Sequence, residues 1–189
     1  MDNISKKLIC IYENVLSERI CDNIINKFNN YNTEKNICNK DCNLSFYDIS
    51  KEPKDLHLWK EIDDIIYKIL GEYISIYIKH CHDTIIYFPY HNINDNGYTI
   101  NKYYKNIGFQ NFKHDFEWND LDASIISFIF FLNTIEYDGE IEFINGVKIF
   151  PKKGNLIFYP STWDISYKHN ISNNLDKYTI TGKLYRHNP

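Results

Sequence analysis

From Thr84 to Tyr185 the chain is a succession of short runs rich in β-branched and aromatic residues: TIIYF, YTINKYY, FQNFKHDF, ASIISFIFFL, EIEFI, VKIF, NLIFY, DISYKH and KYTITGKLY. Asp138-Gly139, Asn145-Gly146 and Lys153-Gly154 punctuate them, and such pairs supply the backbone conformations that hairpin turns need. Nothing between the runs is long enough to be a crossover helix, so the strands pair antiparallel in a sandwich or jelly roll rather than in a parallel sheet. Alternation along the later strands places Phe143, Val147, Ile149, Leu156 and Phe158 on the inward face.

The first part of the chain reads differently. Residues 7–12 (KLICIY) form a short alternating strand, and Ser17 stands as an N-cap before ERICDNIINKF. Residues 31–55 are rich in Asn, Lys, Asp and Ser and read as a long surface loop, with one short strand around Leu44 to Tyr47. Trp59, Ile62, Ile66, Ile69, Leu70, Tyr73, Ile76 and Tyr77 then recur at three- and four-residue spacing, the stripe of a long amphipathic helix. The expectation is an α+β, mainly β, single domain over residues 1–189. A helical support region spans 1–83, with helices near 17–29 and 56–80 packed on one sheet, and a jelly-roll core spans 84–187.

At 189 residues there is room for one domain. The net charge of -4 gives no general attraction to nucleic acid or anionic membranes. No apolar stretch reaches the roughly 20 residues of a membrane span, and MDNISKK lacks the apolar centre of a signal peptide, so a cytoplasmic location is expected. Frequent Asn, Ile, Lys and Tyr with scarce Gly, Ala, Pro and Arg is the bias of an AT-rich coding sequence, such as that of a virus or AT-rich microbe. The cysteines, Cys10, Cys21, Cys38, Cys42 and Cys81, are odd in number and read as reduced thiols. The Cys38–Cys42 pair has no second close pair with which to complete a zinc site.

The strand series carries Tyr104, Gly108-Phe109, Asp115, FFLN (130–133), YDGEIEF (137–143), FPKKGNLIFYP (150–160) and Lys177-Tyr178 in that order. This resembles the prolyl-4-hydroxylase-like branch of the Fe(II)/2-oxoglutarate-dependent dioxygenases. In those proteins a tyrosine-bearing strand precedes a His-x-Asp pair, a GGETEF-type turn, a P-x-x-G strand, a second metal histidine and a lysine ten residues beyond it. The opening IYENVLSERICDNII is similar to the family's strand-then-helix entry. The resemblance implies a double-stranded β-helix. It also implies that Lys177 binds the distal carboxylate of 2-oxoglutarate, with Tyr104 and Thr179 beside it.

The metal positions depart from the family. Four residues beyond Phe109 stands Lys113 where the resemblance implies a histidine, with Asp115 as the carboxylate two residues later, and ten residues before Lys177 stands Tyr167 in place of the second histidine. Freeing a lone pair on a lysine or tyrosine at pH 7 costs roughly 4 to 5 kcal/mol, so neither replaces an imidazole directly. An ammonium–carboxylate pair between Lys113 and Asp115 is the expected filling of the metal volume. The alternative is a displaced triad of His114, Asp115 and His169, which requires a β-bulge to turn His114 inward.

The reading is therefore an oxygenase-fold protein with a degenerate iron site, serving as a binding or structural module for a protein or small-molecule partner. 2-Oxoglutarate is a candidate ligand and Fe(II) is not expected. The alternative is an active dioxygenase hydroxylating a protein, peptide or nucleotide through the displaced triad. Trp118 and Trp163 are candidates for the rim of a groove.

Overall fold

A computed structural model of the chain describes residues 4–31, 37–39, 44–48, 56–84, 93–106, 109–118 and 122–187. Ser17 starts a helix: its Oγ accepts the amide of Ile20, and its carbonyl accepts those of Ile20 and Cys21. The helix that follows, α2 (Glu18–Tyr31), buries Cys21, Ile24 and Phe28 on one face. The longest helix, α3 (Leu56–Thr84), buries Trp59, Ile62, Ile66, Leu70, Tyr77 and Cys81. Its stripe leaves out Ile76, which is 49% exposed, and continues through Cys81 instead. One turn of helix, α1 (Ile4–Lys7), precedes the first strand, β1 (Cys10–Tyr12), so Lys7 belongs to a helix rather than to the expected strand.

The remaining strands are β2 (Ile37–Asn39), β3 (Leu44–Asp48), β4 (Ile93–Tyr103), β5 (Phe109–Lys113), β6 (Asp122–Phe131), β7 (Ile141–Phe143), β8 (Lys148–Ile149), β9 (Leu156–Pro160), β10 (Tyr167–His169) and β11 (Lys177–His187). They form a seven-stranded sheet in the order β1-β9-β6-β11-β4-β3-β2 and a four-stranded sheet in the order β5-β10-β7-β8, every pair antiparallel. Three strands of the larger sheet come from the part of the chain expected to be helical support. The segment read as a surface loop contributes β3 and, beyond what its composition signals, β2, paired with each other and onto β4. The expected TIIYF strand falls largely outside the described residues, as do Cys42 and Gly108.

The larger sheet is covered on both faces, which explains the continuous apolar stretch Phe128–Phe131 at the end of β6. Ile126, Phe128 and Phe130 pack with the helices in one core, while Ile129 and Phe131 join Ile141, Phe143, Ile149, Tyr159 and Tyr167 in a second core between the sheets. The alternation expected for β9 is out of phase. Leu156 and Phe158 face the helices, and Ile157 and Tyr159 face the second sheet. All five β9 residues are buried, so no polar side marks the phase. Among the described residues Cys10, Cys21 and Cys81 are free, burial pushing each thiol up to about 11. No described helix is long and apolar enough to cross a membrane.

The turn before β9 ties the sheet to the entry segment. Gly154 donates to the carbonyl of Phe131, and its own carbonyl accepts the amides of Val15 and Leu16. Its φ is +83°, and a Cβ there would lie 2.3 Å from the carbonyl oxygen of Leu16. Both the conformation and the clash penalise a side chain, so Gly154→Ala is expected to lower stability by roughly 2 to 3 kcal/mol in a denaturant titration. An unchanged midpoint would contradict this account of the turn.

Candidate functional site

The site forms between the sheets, where β4 and β11 of the larger sheet face β5 and β10 of the smaller. Antiparallel register sets Lys177 opposite Tyr103 and Tyr167 opposite Lys113. Because side chains alternate, Asn101 and Tyr103 share the pocket face with Lys177, Thr179 and Thr181. Asn101 Nδ2 donates to Thr181 Oγ1 at 2.9 Å and to Thr179 Oγ1 at 3.5 Å.

Asp115 lies just past β5 and is half-buried. Its Oδ2 accepts the hydroxyl of Tyr159 at 2.6 Å, and its Oδ1 accepts that of Tyr167 at 3.1 Å. The two phenol rings meet edge to face at 5.4 Å, and Phe143 packs against both. Burial above all, with the Asp115 charge added, pushes both phenols well above their ordinary value, so each stays a protonated donor. The Lys113 ammonium stands 5.2 Å over the Tyr167 ring. Lys113, Asp115 and Tyr167 are thus neighbours, with the Tyr167 hydroxyl on the carboxylate.

His169, two residues past Tyr167, is 2% exposed and stacks on Tyr103 with ring centroids 4.3 Å apart. Its Nε2 is 3.3 Å from the Tyr103 hydroxyl, while Nδ1 is buried without a hydrogen-bond partner. Burial, then the charges of Lys177 and Lys113, hold it well below the ordinary histidine value, so the ring is neutral. His114 lies beyond the end of β5 with an exposed side chain. The register irregularity in this pair falls between Tyr167 and His169, and therefore does not turn His114 inward. The displaced set of His114, Asp115 and His169 is not assembled: among the described residues no three His, Cys, Asp or Glu side chains are placed to hold a metal ion.

These groups do not fit an Fe(II) centre of two imidazoles and one carboxylate. Each Asp115 oxygen accepts a phenol proton, the histidine that is near is stacked and bonded to Tyr103, and the other faces solvent.

Lys177 is 1% exposed. Its Nζ donates to the carbonyl of Gly139 at 2.7 Å and to that of Asn170 at 3.5 Å, and lies 5.2 Å over the Tyr103 ring. Burial brings it from the ordinary value of 10.5 down to about 7, against the opposing charges of Glu140 and Asp138.

Comparison of the whole structure with solved ones gives consistent matches. A viral collagen prolyl hydroxylase from Paramecium bursaria chlorella virus-1, in a 2-oxoglutarate complex, superposes with a TM-score of 0.70 at 18% identity, covering 95% of this chain and 96% of that one. A Pseudomonas putida prolyl-4-hydroxylase matches at 0.60 and 11% identity, covering 98% and 100%. A Trichoplax adhaerens prolyl hydroxylase, in complex with a peptide fragment of the hypoxia inducible factor oxygen degradation domain, matches at 0.62 and 15%, covering 96% and 85%. The chain has the prolyl-4-hydroxylase fold. No protein-family model matches the sequence, and no curated protein matches it significantly.

On this prolyl-4-hydroxylase fold two site residues differ from those the sequence suggests. Tyr104 follows the end of β4 and packs under the Lys102 ammonium at 4.8 Å, on the side shared with Tyr178 of the helix-facing core. The hydroxyl beside His169 is that of Tyr103. Tyr159 goes unmarked because the phase of β9 is ambiguous, and only its position next to Pro160 in the FYP run signals it.

Proposed function

We propose that this protein is a prolyl-4-hydroxylase-fold module in which hydrogen-bonded side chains replace the iron centre, and that it works by binding a protein or small-molecule partner rather than by oxygenation. The observation that carries this reading is the double hydroxyl cap on Asp115, from Tyr159 at 2.6 Å and Tyr167 at 3.1 Å. A carboxylate whose two oxygens each accept a phenol proton is stabilised without a metal. Replacing that arrangement by an ion requires breaking at least one of these bonds and finding imidazoles that are not in place.

2-Oxoglutarate is the small ligand this reading admits, with Lys177 and Thr179 as its binding groups and Tyr103, rather than Tyr104, beside them. The viral structure in complex with 2-oxoglutarate supports it by fold alone. A carboxylate arriving at Lys177 must compete with the Gly139 carbonyl for the same donor.

Succinate formation tests the proposal. Protein supplied with Fe(II), ascorbate, 2-oxoglutarate and proline-rich peptides is expected to make no more succinate than buffer. Iron-dependent succinate release that disappears in His114→Ala or His169→Ala would establish the displaced-triad dioxygenase instead.

A further inference from the structure

Helix α3 carries a second apolar stripe besides the one that meets the sheet. Tyr67, Gly71, Ile74 and Ile78 recur at spacings of four, three and four, the seam along which one helix packs on another. None of them is fully buried: Tyr67 is 71% exposed, Gly71 is exposed, and Ile74 and Ile78 are partly buried. Beside this stripe a cavity of about 260 Å³ opens to solvent. Leu70, Ile74 and Ile78 form its helix wall, and Ile93 of β4 with Leu184 of β11 forms the opposite one. Leu70 and Leu184 belong to the helix-facing core, so the cavity lies on the other side of the larger sheet from the space between the sheets.

The chemistry of the lining defines what fits. Apolar side chains make up most of it, and the volume exceeds the roughly 150 Å³ in which an apolar cavity takes up a benzene ring. Asp95 is its one charged residue; Oδ1 accepts the Gly97 amide at 3.0 Å, and a carboxylate can accept a further donor. An apolar ring with a hydroxyl at its tip meets both demands, and that is a tyrosine. The same stripe presents one, Tyr67, at the rim.

Two more features of α3 bear on the occupant. A Cβ at Gly71 would meet nothing within 4 Å, so packing within the chain does not call for glycine there, although glycine disfavours an exposed helix interior. A bare backbone at that point lets a second helix approach closely. Asp64 and Lys79 are exposed about two turns before and after Gly71. Antiparallel pairing of two α3 helices around Gly71 therefore sets the carboxylate of each against the ammonium of the other, twice by symmetry, whereas parallel pairing sets like against like.

We infer that the protein forms a homodimer through α3, the two helices antiparallel around Gly71 and Tyr67 of each copy seated in the cavity of the other. The ring lies among Ile74, Ile78 and Leu184, with its hydroxyl toward Asp95. The contact is isologous and uses none of the residues between the sheets, so it stands or falls independently of the replaced iron centre.

Sedimentation equilibrium across the micromolar range tests it, with the wild type expected to be a dimer in exchange with its monomer. Gly71→Arg is the sharpest variant. Its side chain enters open space within one chain and favours the helix, so the monomer folds, while two arginines meet on the two-fold axis. The dissociation constant is expected to rise more than about 100-fold in Gly71→Arg and more than about 10-fold in Tyr67→Ala. Asp64→Lys and Lys79→Asp are each expected to weaken the dimer, and the two together to restore it. A wild type that stays monomeric throughout, whatever else enters the cavity, overturns the proposal. So does a dimer that Gly71→Arg and Tyr67→Ala leave unchanged, or one in which the charge-exchanged double variant is no tighter than the single ones.

Discussion

Replacing Lys113 and Tyr167 together by histidine is expected to raise Fe(II) affinity at least about 100-fold over the wild type, and by more than the two single changes combined. The geometry says why. Tyr167 lies opposite Lys113 across the β5–β10 ladder, so the two new imidazoles stand side by side. Loss of the Tyr167 hydroxyl frees Oδ1 of Asp115, the oxygen it now occupies at 3.1 Å. Tyr159 continues to hold Oδ2 at 2.6 Å, where it orients the carboxylate behind the metal. Adding Tyr159→Phe to the double variant is therefore expected to weaken iron binding roughly 10- to 100-fold. Each single histidine variant leaves one ligand missing, and the Lys113→His variant also leaves Oδ1 capped. Calorimetric titration under anaerobic conditions reads all of these. Equal affinities across the series would mean that the side chains do not converge as described.

The second large effect concerns pH. Lys177 drops from 10.5 to about 7 on folding, which corresponds to a difference of roughly 4 to 5 kcal/mol between the limits of that window. The unfolded lysine holds a proton between pH 7 and 10.5 that the folded one has released, so this group raises stability with pH across that window, and the protein follows it from pH 7 to about 9. Above about pH 9 this rise is opposed and then reversed, because the unfolded chain loses its thiol and phenol protons while buried Cys10, Cys21, Cys81, Tyr77, Tyr159 and Tyr167 keep theirs. Acidification below about pH 6.5 lowers stability further, since His169 gains a proton only when the chain unfolds. In Lys177→Met the rise from pH 7 to 9 should vanish. That variant leaves the Gly139 and Asn170 carbonyls without their donor, a cost of about 1 to 3 kcal/mol for each buried acceptor, so it is expected to be the less stable protein at pH 9. Denaturant midpoints at four pH values between 7 and 9 measure both slopes. Parallel curves for the two proteins would show that Lys177 does not titrate in this window.

Much of the architecture was legible because local chemistry and tertiary position agree. The Gly139, Gly146 and Gly154 turns all use positive φ, and each sits between strands that the β-rich runs identify. The Gly139 turn also reaches the site, where its carbonyl accepts Lys177. The stripe of α3 and the Ser17 cap were readable for the same reason. Phase was not readable where both faces of a strand are buried. The residues of β9 carry no polar side, so alternation alone does not tell Leu156 and Phe158, which face the helices, from Ile157 and Tyr159, which face the second sheet. At the end of β4 two consecutive tyrosines offer the same chemistry, and only pairing of Tyr103 with Lys177 decides which one faces the pocket. The β2–β3 hairpin is built from a polar segment whose pairing onto β4 comes from the sheet edge rather than from its own composition.

The candidate site divides along the same line. Of the residues singled out by sequence spacing, Asp115 accepts the Tyr167 hydroxyl, Tyr167 packs edge-on against His169, and the exposed Lys113 lies over the Tyr167 ring. What spacing cannot supply is the partner of each polar atom. The caps on Asp115, the stacking of His169 on Tyr103 and the carbonyl contacts of Lys177 depend on register between strands distant in sequence.

Anaerobic calorimetric titration of Fe(II) into the wild-type protein tests the replaced iron centre most directly. The hydroxyl caps on Asp115 predict weak binding without a stoichiometric end point. Tight binding of one iron per chain, abolished by His114→Ala or His169→Ala, would contradict it.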